Sequence, residues 1–291
     1  MTRLFLRRFL LLIVLPACVQ AAPESAPATK LLQRFQSLQA PLTRSVFNPP
    51  LVLESQEQAQ RVTGDIYGSV NFRFAQLLPL MQDPQRWCEI LLLLSNTKRC
   101  QTQREGNTSF LLVHVGGKGE EKVSPDAATR FDFEVNQQSK DYLDMLLSAN
   151  SGPMGASRIH IHAEGVAVSD SASFLHLHYS YDTGWLARSA MAIYLETLGR
   201  GKVGFTPIPG EAGTPVTYIG GVRGVIERNV MRYFMGLNCA LTHAESPPAQ
   251  RFPAMATCWY NAEEQHPLQL HEMERDEYLT MKAHEYQAPD H

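Results

Sequence analysis

The chain has 291 residues, 44% of them hydrophobic and 19% charged, a balance that builds one sizeable globular core and excludes an intrinsically disordered chain. Its formal net charge of -3 gives no field that would gather a polyanion, and no Lys/Arg block occurs beyond the N-terminus, so nucleic acid is excluded as a partner.

Residues 1–21 have the layout of a signal peptide: a basic start with Arg3, Arg7 and Arg8, an apolar run over 9–15, and a small-residue cleavage site at Val19-Gln20-Ala21. This predicts export, to the periplasm in a bacterial setting. The apolar run is too short to cross a bilayer and no later stretch approaches about 18 uninterrupted apolar residues, so no permanent transmembrane helix is predicted. Leu15-Pro16-Ala17-Cys18 is similar to a lipobox, which makes Cys18 a candidate for a lipid anchor. Beyond the signal stand Cys88, Cys100, Cys239 and Cys258. In an oxidising compartment four cysteines predict two disulfides, with three pairings allowed. The sequence-local pairing, Cys88 with Cys100 and Cys239 with Cys258, is the one we favour; buried free thiols are the alternative, and no C-x-x-C pair is present to seed a zinc site.

An N-terminal arm spans 22–50, with an amphipathic helix over 30–39 and a stop at Asn48-Pro49-Pro50. From residue 51 the chain becomes strand-like. Two short helices follow, over 72–81 and 85–94, broken at Asp83-Pro84, the second carrying Trp87 and Cys88. Six strand candidates come next, at 97–103, 108–115, 129–136, 142–148, 157–166 and 173–181, spaced as an antiparallel meander. The last two alternate cleanly. With Ile159, Ile161, Leu175 and Leu177 toward a core, His160, His162, His176 and His178 share the opposite face. Four imidazoles on adjacent strands are the chain's best metal candidate, but the outward orientation predicts solvated side chains, and the sequence assigns no metal ligand and no cofactor.

Residues 185–198 are apolar nearly all round and predict a helix buried on several sides or pressed against a membrane or envelope partner. Residues 202–206 and 216–219 predict a strand pair. The segment 220–241 is then the helix around which the fold is organised. At 100° per residue Val222, Ile226, Val230, Tyr233, Leu237 and Ala240 form one stripe with Asn229 beside them. Arg223 and Glu227 flank it on one side, Arg228 and Arg232 on the other. An inward amide and phenol need partners, either neighbouring strands or a ligand. Residues 244–291 form a C-terminal extension with a charged amphipathic helix over 270–285.

The order of a strand, two short helices, a six-strand meander and a long helix resembles the START-like helix-grip superfamily over residues 51–243, with 185–219 as an insertion. Trp87-Cys88 with Cys100, the run from Gly199 to Phe205 and the run from Glu227 to Tyr233 resemble an uncharacterised exported bacterial branch of it. The resemblance implies an α+β fold in which a curved antiparallel sheet of six to eight strands grips a long C-terminal helix around a cavity. It also implies binding or transfer of lipids and other apolar molecules, a minority of members being cyclases or hydrolases.

Nucleophile and nucleotide motifs fail on inspection. Ser95-Asn-Thr-Lys98 precedes a strand and lacks the companion elements of S-x-x-K enzymes, His271-Glu-Met-Glu-Arg275 ends in Arg where a zinc protease needs a second His, and no nucleophile elbow or phosphate loop occurs. The leading expectation is a periplasmic or envelope-associated carrier of a hydrophobic small molecule or lipid. In it Asn229 and Tyr233 orient the ligand's polar end, Arg232 approaches an anionic head group, and Trp87 and Tyr181 line the walls. The alternatives are an envelope interaction protein with a filled cavity, in peripheral contact with membrane or protein, and a cyclase- or hydrolase-type enzyme.

Overall fold

The structure is a computed structural model that describes residues 26–117, 128–184, 201–210 and 213–287. The expected signal peptide, Cys18 and the expected helix over 185–198 lie outside the described residues.

Eight strands form one antiparallel sheet: β1 (Leu51–Glu57), β2 (Arg61–Val70), β3 (Thr97–Glu105), β4 (Thr108–Val115), β5 (Ala128–Gln138), β6 (Tyr142–Ser151), β7 (Ala156–Ala167) and β8 (Ser173–Thr183). Their order across the sheet is β1-β2-β8-β7-β6-β5-β4-β3. All connections are between sequence neighbours except the closure that brings β8 back beside β2, from Arg61 opposite Asp182 to Val70 opposite Ser173. That single long-range pairing turns two hairpin systems into one curved surface.

The alternation read from β7 and β8 decides which face is the core. Ile159, Ile161, Leu175 and Leu177 are buried on the inner face, and the period of two carries the same face on to Tyr179 and Tyr181. Against it lies α5 (Gly221–Thr242), with Ile226, Val230, Leu237 and Ala240 wholly buried along the expected stripe. β2 admits the helix closely because two inward positions are glycine. A Cβ at Gly64 would sit 3.1 Å from side-chain carbons of Ile226 and Val230, and one at Gly68 would overlap the Phe234 ring. The α+β helix-grip arrangement that the sequence predicts is therefore the one formed.

Two short helices link β2 to β3: α3 (Phe74–Met81) and α4 (Pro84–Leu92). The boundary between them is chemical. Asp83 caps α4, its carboxylate accepting from the Gln85 amide at 2.9 Å, and Pro84 occupies the first turn, where its missing N–H costs nothing. Cys88 on α4 is disulfide-bonded to Cys100 on β3. On the outer face of the sheet the N-terminal helices α1 (Pro27–Ser37) and α2 (Gln39–Thr43) bury Leu31, Leu38 and Leu42 against Tyr142, Val166 and Phe174.

The expected strand pair over 202–206 and 216–219 is shorter among the described residues: β9 (Pro207–Ile208) pairs with β10 (Thr217–Tyr218) over two residues each. The C-terminal extension forms more helix. Beyond the expected amphipathic helix, here α8 (Arg275–Gln287), it contains α6 (Pro248–Glu263) and the short α7 (Pro267–Leu270). Phe252, Met255 and Trp259 of α6 are fully buried, and Cys258 is bonded to Cys239 of α5. The outer flank of α5 is thus covered, so Arg228 and Arg232, expected on a charged rim, are buried. Among the described residues no helix is long and apolar enough to cross a membrane.

Candidate functional site

Between the inner face of the sheet and α5 lies a cavity of about 750 Å³. The sheet supplies Val113, Phe131, Ile159, Ile161, Tyr179 and Tyr181, α5 supplies Val225, Arg228, Asn229, Arg232 and Tyr233, and the turn after α4 supplies Leu94, Ser95 and Asn96. Most of the wall is apolar, and two groups of polar residues stand out in it.

The first is a cluster of three phenols. Tyr179 and Tyr233 meet edge to face with centroids 5.1 Å apart, and Tyr179 and Tyr181 lie 5.6 Å apart. Tyr179 and Tyr233 share a hydrogen bond. The Tyr181 hydroxyl does not join them: its residue is 5% exposed, and the oxygen is buried with no hydrogen-bond partner among the described residues. Burial pushes the Tyr181 and Tyr233 phenols up to about 12 and holds Tyr179 well above the usual phenol range, because a phenolate there would lose its solvation. All three are hydrogen-bond groups at neutral pH and none can act as a general base. Asn229 is half-buried beside them and faces the same space.

The second polar group is ionic. Arg232 donates from Nε to Glu263 at 2.7 Å, and from Nη2 to Glu272 at 2.9 Å and to the Leu270 carbonyl at 3.1 Å. Glu272 also accepts from the Ser95 hydroxyl and lies 3.6 Å from Lys202 Nζ. The C-terminal extension therefore closes this end of the cavity with its own carboxylates.

The structure brings four of the five expected ligand contacts, Asn229, Arg232, Tyr233 and Tyr181, to one cavity. Trp87 is a correction. It is wholly buried away from the cavity, its indole N–H donating to the Met81 carbonyl at 3.0 Å, because the face of α4 that carries it packs into the core beside the disulfide. Arg232 lines the cavity, but its guanidinium is already bonded to Glu263 and Glu272. Tyr179 was missed, although the alternation from Leu175 through Leu177 points to it.

Glu227 shows how α5 is positioned. It is fully buried, and its carboxylate accepts from Ser55 Oγ at 2.6 Å, Thr206 Oγ1 at 2.7 Å, and the amides of Phe205 and Thr206 at 2.6 and 2.9 Å. Arg223, its helical neighbour, is 3.9 Å away and bonds Ser55 instead. One side chain thus ties the helix to β1 and to the segment before it. Opposite, Lys282 of α8 donates to the carbonyls of Leu94 and Thr97 and to Glu285, and Tyr278 donates to the Leu93 carbonyl, fixing the turn that lines the cavity.

The four histidines lie outside this cavity, on the other face of the sheet. They are partly buried and partnered where free solvation was expected: His162 bonds Asp144, His176 and His178 both bond Asp65, and His160 lies against Arg61.

No family model and no curated protein matches this sequence. Solved structures that resemble it include a conserved protein of unknown function from Enterococcus faecalis, at 10% identity and a TM-score of 0.35, over 79% of this chain and 96% of that one. The Zhui aromatase/cyclase from Streptomyces sp. R1128 follows at 10% identity and a TM-score of 0.32, over 47% and 85%. Norcoclaurine synthase from Thalictrum flavum is similar at 9% identity and a TM-score of 0.33, over 62% and 90%. At these scores no residue role passes from them to this chain.

Proposed function

We propose that this protein binds or carries an apolar or lipid-like small molecule, held between the sheet and α5, in the periplasm or at the cell envelope. The observation that carries the reading is the cavity itself: about 750 Å³, within the range of about 300–1,000 Å³ that small-molecule sites occupy, with a mostly apolar wall that takes up the body of a ligand and with Asn229 and Tyr233 of α5 in that wall to meet its polar end. Export is supported by the layout of residues 1–21 and by the disulfides Cys88–Cys100 and Cys239–Cys258. A cavity of this size weighs against the alternative with a filled core.

The test is displacement of an environment-sensitive apolar fluorophore by long-chain alcohols, esters and fatty acids. The reading expects saturable one-to-one binding of at least one of these classes, and weaker binding of it by Asn229→Ala. No saturable binding of any member would overturn it.

A further inference from the structure

On the face of the sheet away from the cavity, pairing across four strands assembles a row of carboxylates and imidazoles. β2 contributes Asp65, β8 His176 and His178, β7 His162 and Glu164, and β6 Tyr142 and Asp144. His178 stands opposite Asp65 on one side and His162 on the other, and His176 stands opposite Glu164. Asp65 Oδ1 is 2.8 Å from His176 Nε2 and 2.8 Å from His178 Nδ1, and these three ligand atoms lie within 4.8 Å of one another.

We propose that Asp65, His176 and His178 form a binding site for a divalent transition-metal ion, zinc being the ion that two imidazoles and one carboxylate suit best, with solvent as the fourth ligand. Four observations support the assignment. One carboxylate oxygen faces two imidazole nitrogens, each of which needs a proton to bond it; a divalent ion takes the place of both protons, leaving His176 neutral with its Nδ1–H on Glu164 and His178 neutral with its proton on Nε2. The other nitrogen of His176 is held by Glu164 at 2.9 Å, and Glu164 in turn accepts from the Tyr142 hydroxyl at 2.6 Å. That is the outer-shell carboxylate that orients a metal-bound histidine. Tyr67 stacks flat on His176, with centroids 4.4 Å apart and planes 6° apart, fixing the ring. Finally, Asp65, Glu164 and Asp144 place three carboxylates on this patch, while the guanidinium of Arg34 that lies over Tyr67 is paired with Glu54.

Tetrahedral ligands at 2.0–2.1 Å from zinc stand about 3.3 Å apart, so on binding the two 2.8 Å contacts open by about 0.5 Å, and the two imidazole nitrogens, within 4.8 Å of each other, settle at the same separation by side-chain rotation. The side chains of Asp65 and His178 are 22% and 25% exposed, which leaves an approach for the ion and its water. His160 does not belong to the site. Its Nδ1 lies 3.3 Å from the Arg61 guanidinium, and Arg61 and Arg158 both bond Asp182, making that end of the row cationic.

The experiment uses untagged full-length protein, stripped with a chelator and titrated with zinc in competition with a chromophoric chelator, with cobalt(II) absorption as the reporter of coordination. The expected result is one equivalent of zinc, visible cobalt bands of four-coordinate intensity, and a melting temperature that rises with zinc. Glu164→Gln should weaken zinc binding by about 10–100-fold, and His178→Ala and Asp65→Asn by more, while His160→Ala leaves it unchanged. Circular dichroism establishes that each variant is folded, and Asp65→Asn, the smallest change, carries the test if His178→Ala is not. Failure of the parent to bind micromolar zinc, or parent-like binding by folded Asp65→Asn or His178→Ala, would overturn the proposal. The site is across the sheet from the cavity, so neither result bears on the small-molecule reading.

Discussion

Replacing Glu227 by alanine should destabilise the protein far more than its place on a helix surface pattern implies. As an exposed partner of Arg223 at i and i+4 it would contribute about 0.3–0.5 kcal/mol. In the structure its carboxylate takes four hydrogen bonds in a fully buried position. Truncation leaves two backbone amides, those of Phe205 and Thr206, without an acceptor at about 1–3 kcal/mol each, whereas the Ser55 and Thr206 hydroxyls can turn elsewhere. The expected loss is therefore about 4 kcal/mol, or roughly 10 °C in melting temperature for a domain of this size. Glu227→Gln keeps an acceptor for the amides and offers its NH2 to the hydroxyl oxygens, so its loss should be about 1–2 kcal/mol. Urea denaturation measures both, and hydrogen exchange localises them: the Phe205 and Thr206 amides should be protected in the parent and in Glu227→Gln, and exchange fast in Glu227→Ala. A Glu227→Ala midpoint within about 0.5 kcal/mol of the parent, or unchanged exchange at those amides, would refute the reasoning.

Three further outcomes follow from the same structure. Tyr181→Phe removes a partnerless buried hydroxyl, so without ligand it should melt no lower than the parent, by differential scanning calorimetry, and up to about 1 kcal/mol higher. Tyr181 and Tyr233 have folded-state phenols raised to about 12 from 10.0; their contribution is complete below pH 10 and is lost as pH rises toward 12, so urea midpoints should fall across that window, less steeply in Tyr181→Phe. Removing the Cys239–Cys258 bond, which closes a loop with a sequence separation of 19, by the double change to alanine should cost about 3 kcal/mol and expose residues 244–287 to limited proteolysis.

Much of the inner architecture is legible in the sequence because it depends on local periodicity. A strand with one buried face must alternate, so Ile159, Ile161, Leu175 and Leu177 declare the inward side of β7 and β8, and the stripe from Ile226 to Ala240 declares the face of α5. Sequence-local pairing of the cysteines is also the pairing found. What escaped depends on contacts between distant segments. The partners of Glu227 are Ser55, 172 positions away, and the backbone at 205 and 206, and no pattern around position 227 announces them. Arg232 reads as a free cation until α6 and the residues after α7 bring Glu263 and Glu272 to it. α6 itself is hidden by Pro248, which resembles a break but opens the helix, and by Pro253, which lies inside it and removes a ladder hydrogen bond. Trp87 reads as a wall residue because α4 leads into the meander, yet only its packing shows that it faces the core. The histidines were expected in solvent because Asp65 lies on β2, and only the long-range pairing of β2 with β8 brings that carboxylate beneath them.

The central claim, an interior site for a small molecule beside Tyr181, is most directly tested by native mass spectrometry of the full-length protein purified gently from its own compartment, followed by organic extraction. The account predicts a one-to-one adduct that is lost on extraction, is recovered as an apolar molecule, and rebinds to the parent more tightly than to Asn229→Ala. Protein that carries no adduct, and that takes up none of the apolar alcohols or esters offered to it, would contradict the account.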